Sequence, residues 1–272
     1  EIMPSLVGSE MCIRDSVWTV HNLQPHKPRH PRLDQACWLM LSRLAHRVIV
    51  HCEETRRQLE ALFGRRQDVL VIPHPNYIGV YPELPDKEVA RKRLGLDESN
   101  VIFLCFGAVR PYKGFQDAIV AFKQLLDDNA RLVIAGRPVN EGIAHEIKTL
   151  AHGDDRILTM LSFISSDDLP TYFSAADVVV LPFRKIATSG SAMLAMSLGR
   201  PVIAPAMGCL RELVTDGTGL LYDLGDPEAL ANTMRRCLEV NLAEMGRCAY
   251  GKVQLLDWPG YALKTMEVYA GR

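Results

Sequence analysis

VIFLCFGAVRPYKG, residues 101–114, opens on six apolar residues and closes on a glycine-bounded loop that carries two cations. An apolar run without polar alternation reads as a strand covered on both faces, the habit of a parallel sheet. The same unit recurs downstream. Apolar strands are predicted at 132–135, 157–160, 178–181, 202–204 and 219–222. Helices are predicted between and after them, at 114–127, 141–151, 167–175, 191–198, 210–215 and 227–237. A last helical stretch, 242–270, breaks near Trp258-Pro259. Strands separated by helices of this length form βαβ units. The fold class is therefore α/β, and the second part of the chain reads as a complete doubly wound domain.

Upstream the pattern is shorter. Strands are expected at 17–20, 47–51 and 69–72, with helices at 33–45 and 53–63, the second stopped by Gly64. Two or three strands are too few for a domain of this kind, so part of the first domain is expected to be missing. Residues 73–85 hold four prolines and read as a linker. Residues 1–16 show no clear period and read as a non-native or disordered leader.

The bulk numbers exclude several classes. The chain has 272 residues, 48% hydrophobic, with 31 basic and 32 acidic side chains. A balanced charge exerts no global pull on nucleic acid, so no nucleic-acid partner is expected. No apolar run reaches the roughly 18 residues of a membrane span. The seven cysteines lack CxxC spacing and read as reduced, buried thiols of a cytoplasmic protein.

Three loops at strand ends carry the candidate chemistry. In the first, Gly107 allows close backbone approach, while Arg110 and Lys113 place two cations where a helix begins. A cation there opposes the helix dipole unless an anion is near, and a diphosphate would relieve the conflict. A solvated loop with surface cations is the alternative. In the second, Thr188, Ser189, Gly190 and Ser191 precede or open a helix, where free N–H groups form an anion site. Simple capping by Ser189, with Gly190 shaping the turn, is the alternative. In the third, His21 follows the first strand and could touch a ligand or act as a base, or be a structural histidine. His74 presents the same choice. His26 and His30 lie in a proline-rich loop, and metal ligation by them is not expected. Glu212, at a helix start, could accept a ribose hydroxyl or merely suit the dipole.

These residues, in order, resemble glycosyltransferase family 4 and its GT-B relatives. The resemblance runs from about Val17 to the C-terminus. It rests on His21-Asn22, VIPHPN (71–76), FGAVRPYKG (106–114), LVIAGRP (132–138), AADVVVLPF (175–183), SGSAMLAMSLGRPVIA (189–204), GLLYD (219–223) with GDPEALA (225–231), and Trp258 in a terminal helix.

It implies a GT-B architecture of two Rossmann-like domains. The first, 17–82, would be partial and acceptor-side; the second, 83–250, would bind a nucleotide sugar; the helix of 251–272 would cross back to the first. The implied activity is hexosyl transfer from a donor such as GDP-mannose or a UDP-hexose to a carbohydrate or lipid-linked acceptor. It would need no metal or other cofactor, and would retain anomeric configuration. Arg110, Lys113 and the 188–191 loop would hold the donor diphosphate. The stretch from Leu161 to Phe163 would hold the base, largely through backbone, and His21, the candidate catalytic residue, would lie near the transferred sugar or the acceptor. The implied localisation is cytoplasmic, or peripheral at the inner membrane face through the missing N-terminal domain.

Two departures stand out. Ile186 and Leu194 occupy the places of a Glu-x(7)-Glu pair found in many relatives, so the chain resembles a TSGS-loop subgroup. Ala108 stands where many relatives have arginine, and Arg110 is the nearest substitute. A non-catalytic nucleotide-sugar-binding remnant and a GT-B epimerase or phosphorylase are the alternative readings.

Overall fold

The structure, a computed structural model, describes residues 16–23, 30–226 and 228–270. The leader, apart from Ser16, and His26 lie outside these residues. The described chain forms two units. One gathers the described residues of Glu1–Pro75, Ile186–Thr188 and Leu256–Arg272; the other comprises Asn76–Lys185 and Ser189–Leu255.

The first unit carries a three-stranded parallel sheet in the order β1-β2-β3, with β1 at Val17–Val20, β2 at Arg47–Val50 and β3 at Val69–Val71. Helix α1, Pro31–Leu44, joins β1 to β2, with its proline in the first turn where no N–H is needed. Helix α2, Glu53–Phe63, ends at Gly64, whose φ of 72° is the left-handed cap expected of that glycine. Val20, Val48, Val50 and Leu59 are fully buried and form the core between sheet and helix.

The second unit is built on a six-stranded parallel sheet. Its strands are β4 (Val101–Phe106), β5 (Ala130–Ala135), β6 (Ile157–Met160), β7 (Val178–Val180), β8 (Val202–Pro205) and β9 (Gly219–Tyr222). Their order is β6-β5-β4-β7-β8-β9. The chain first builds outward from β4 through β5 to β6, then returns to the other side of β4 for β7. The loops after β4 and β7 therefore flank the point where the winding reverses, the place where open α/β sheets bind ligands.

Helix α3, Lys87–Leu94, precedes β4 and is absent from the sequence reading. Its sequence, KEVARKRL, offers few apolar residues to a period-3.6 search. An arginine does the work of an apolar contact instead. Arg91 is buried, bonds the Ala175 carbonyl at 3.1 Å and pairs with Asp177 at 2.7 Å. Asp177 also accepts from the Ile102 N–H at 2.7 Å, which ties α3 to the start of β4.

The remaining helices are α4 (Phe115–Phe122), α5 (Glu141–Ala151), α6 (Leu169–Ala175), α7 (Gly190–Ser197), α8 (Leu210–Leu213), α9 (Ala229–Cys237), α10 (Leu242–Gln254) and α11 (Trp258–Ala270). The expected break near Trp258 separates α10 from α11. Helix α11 belongs to the first unit, where Val268 packs with Ile49 and Ile72. Cys105 and Cys237 are free and buried, but Cys37 and Cys248 are free and exposed. Cys52 and Cys209 are not free thiols, which corrects the expectation of a wholly reduced, buried set.

Candidate functional site

The loop after β4 is held from both sides by backbone. On the β5 side, Val109 N–H donates to the Arg137 carbonyl at 2.9 Å and Val139 N–H to the Val109 carbonyl at 3.2 Å. Gly136, at φ 146°, lets the Gly107 carbonyl approach so closely that a Cβ would sit 2.1 Å from its oxygen. On the β7 side, Gly114 abuts Pro182, and a Cβ on it would lie 2.0 Å from the Pro182 carbonyl oxygen. Arg184 N–H donates to the Tyr112 carbonyl at 2.9 Å, and the Tyr112 and Phe183 rings stack at 6.5 Å. The Arg184 guanidinium binds both carboxylate oxygens of Asp117 at 2.7 Å. The first two sequence constellations are thus locked together at the winding reversal.

Lys113 is placed differently from the sequence expectation. It ends a 3-10 turn, Pro111–Lys113; Gly114 adopts a left-handed conformation, and α4 starts only at Phe115. The lysine folds back along its own loop. Its Nζ lies 2.9 Å from where a Cβ on Gly107 would stand. Gly107 is therefore the residue that makes room for the ammonium group. No ion pair joins Lys113 to a carboxylate among the described residues. Burial, and then repulsion from Arg110, push its pKa down to about 8. Arg110 itself is exposed at the loop surface. A cation without a counter-charge is costly to bury and is a marker of a ligand site.

Ser189 and Gly190 sit at the start of α7. Ser189 is the N-cap: its Oγ accepts from Ala192 N–H at 3.0 Å, and the residue is buried. Capping, the simpler of the two sequence readings, is what this hydroxyl oxygen does here. Gly190 is the first helical residue, and a Cβ on it would meet the Tyr77 hydroxyl at 3.2 Å. Tyr77 N–H donates to Ser197 Oγ at 2.9 Å, so the tyrosine is anchored to α7 and its ring reaches the helix start. Tyr77 was missed in the sequence because its proline-rich surroundings give no motif. Ser191 is half-buried in the first turn, and Thr188 falls with the first unit. We expect Ser189→Ala to cost about 1 kcal/mol of stability through the lost cap. A thermal melt that matches the unmodified protein would refute the capping role.

Leu161 packs against the core cluster after β6, whereas Phe163 is 75% exposed. Glu212 lies in the short α8; its main-chain carbonyl accepts from Lys252 Nζ at 2.9 Å, and its side chain is exposed. In the first unit, His21, His51 and His74 come together. His51 Nε2 lies 3.3 Å from His21 Nδ1, and the His51 and His74 rings are 5.6 Å apart. His51 was overlooked, although it follows β2 as His21 follows β1. Among the described residues no group of His, Cys, Asp and Glu could hold a metal ion. No helix among them is long and apolar enough to cross a membrane.

Comparison with known proteins gives concordant results. Residues 100–240 match the family described as glycosyl transferases group 1. The chain is 30% identical over 247 residues to a D-inositol 3-phosphate glycosyltransferase of Nocardioides sp., covering 83% of this chain and 53% of that protein. It is also 30% identical over 247 residues to a GDP-mannose:glycolipid 4-beta-D-mannosyltransferase of Xanthomonas campestris pv. campestris, covering 89% and 64%. The chain thus spans between about half and two thirds of the length of these relatives. Among solved structures, sucrose-phosphate synthase from Thermosynechococcus elongatus superposes with a TM-score of 0.80 at 25% identity, over 97% of this chain and 70% of that one.

Proposed function

The chain belongs to the glycosyl transferases group 1 family, and from that premise we propose that it carries the donor site of a nucleotide-sugar-dependent glycosyltransferase. The transfer runs to a carbohydrate or lipid-linked acceptor, without a metal ion. The observation that carries the reading is Lys113: a half-buried ammonium without a carboxylate partner among the described residues, beside Arg110, at the reversal of the sheet.

Breaking a sugar–phosphate bond builds negative charge on the leaving diphosphate. Groups already aimed at that charge lower the barrier without reorganising. Lys113, Arg110 and the free N–H groups at the start of α7 supply positive potential from the loops after two neighbouring strands. With three such sources the diphosphate needs no divalent ion. Phe163 offers an exposed aromatic surface to a base, and Glu212 an exposed carboxylate to a ribose. The family resemblance assigns His21 to the transferred sugar or the acceptor. The name of the Xanthomonas relative favours GDP-mannose over other donors.

The test uses pH. In the free protein Lys113 titrates at about 8, so its charge is present below that value and lost above it. A bound diphosphate favours the charged form, so binding above about pH 8 takes up a proton. We expect the affinity for GDP, by calorimetry in chelator-containing buffer, to fall as pH rises from about 7 to about 9.5. Affinity that is flat across this range, or that appears only with added divalent ion, would overturn the assignment. If nucleotides bind but no sugar is transferred to any acceptor, the non-catalytic reading replaces this one. That reading is the one favoured by Ile186 and Leu194 at the two expected carboxylate positions.

A further inference from the structure

The two ring nitrogens of His51 meet partners of different kinds. Nδ1 lies 2.9 Å from the Ile72 carbonyl oxygen. A carbonyl only accepts, so Nδ1 carries the proton. A neutral imidazole has a single N–H, so Nε2 of His51 is left as a lone pair. That lone pair faces His21 Nδ1 at 3.3 Å. The contact is a hydrogen bond only if His21 Nδ1 is the donor. The proton of His21 then sits on Nδ1, and its Nε2 keeps an unshared pair on an exposed ring.

We propose that His51 is a positioning residue that holds His21 in the tautomer whose Nε2 accepts a hydrogen bond from a hydroxyl of a bound sugar. The tautomer follows from the first unit alone; the sugar rests on the function proposed above. A main-chain carbonyl at one end of the chain thus decides which nitrogen is basic at the other.

The arrangement needs a neutral His51, and its surroundings keep it so. It is 5% exposed. Among the described residues, the titratable groups facing it are His21 from the end of β1, His74 from beyond β3 and Tyr261 from α11, with ring centroids at 5.1, 5.6 and 6.3 Å. None is a carboxylate that would favour an imidazolium. Burial, and then the two histidines, lower its pKa. His74 donates its own Nδ1 proton to the Pro75 carbonyl at 2.7 Å, and burial lowers its pKa also.

The experiment is long-range proton–nitrogen correlation NMR on the whole chain with nitrogen-15 histidine, at about pH 7.5 where His51 is neutral. A His21→Gln sample assigns the His21 signals. In the unmodified protein we expect His21 Nδ1 to read as N–H and Nε2 as a bare nitrogen. In His51→Leu the constraint is gone and the tautomers mix. In His51→Gln the amide oxygen can accept in place of Nε2, and the Nδ1–H form returns. On acidification, protonating His51 turns Nε2 into a donor, and the His21 preference is lost in step with His51 titration. An Nε2–H tautomer of His21 in the unmodified protein overturns the proposal. So does a tautomer that is unchanged in His51→Leu. If that variant does not fold, the acid titration of the unmodified protein decides: a His21 tautomer indifferent to His51 protonation overturns it. No nucleotide enters this measurement, so its failure is distinct from failure of donor binding.

Discussion

Lys113→Met lowers turnover of a nucleotide-sugar donor by about 10²–10³-fold, the loss typical of one removed charge-stabilising donor. Affinity for the nucleoside diphosphate falls at least about 30-fold, because a charge contact within a largely buried site is lost. Stability moves the other way. Methionine keeps the apolar stem of the lysine and removes its ammonium. In the free protein that ammonium has no carboxylate partner among the described residues, and burial drives its pKa from 10.5 to about 8. Holding it charged at neutral pH costs at most roughly 3.5 kcal/mol, less whatever solvent reaches it. The melting temperature of Lys113→Met should therefore hold or rise while binding collapses. This opposition distinguishes a ligand site from a structural lysine. A variant that melts early and binds the diphosphate normally would remove Lys113 from the site.

Gly114→Ala strikes the junction between the two loops. Gly114 has φ 65°, which an alanine adopts at a cost of order 1–3 kcal/mol. Its Cβ would also stand 2.0 Å from the Pro182 carbonyl oxygen, a backbone atom that cannot rotate away. The loop after β4 must then part from the loop after β7. We expect a loss of about 3 kcal/mol or more, hence a melting temperature lower by about 6 °C or more for a unit of this size. Diphosphate affinity falls with it, because Lys113 precedes the junction. Gly153→Ala is the control. Gly153 has φ 80° but nothing within 4 Å of its would-be Cβ, so it pays the backbone cost alone. If both variants melt together, the contact with Pro182 is not what holds the loops.

Much of this molecule is legible as local pattern. The strand Val101–Phe106, the helix Glu141–Ala151 and the helix Glu53–Phe63 with its terminal Gly64 all announce themselves, because burying one face imposes a period on neighbouring residues. Helix Lys87–Leu94 does not, because Arg91 and its ion pair with Asp177 stand where apolar contacts would otherwise be. The cations of the 107–114 loop are visible in the sequence, but their fates are not. Lys113 turns back over Gly107, Arg110 stays at the surface, and Arg184 is spent on Asp117.

By itself, the sequence determined the alternation of parallel strands and helices, and which loops carry charge and hydroxyls at strand ends. Tertiary structure alone decided the strand order that sets β4 beside β7 and so brings the 107–114 and 181–185 loops into contact. It alone decided that Ser189 Oγ is a cap and that His51 faces His21. The reason is the range of the forces. Periodicity records burial between residues a few positions apart. Strand order and ring pairing are set by contacts between residues far apart in sequence, which leave no period to read.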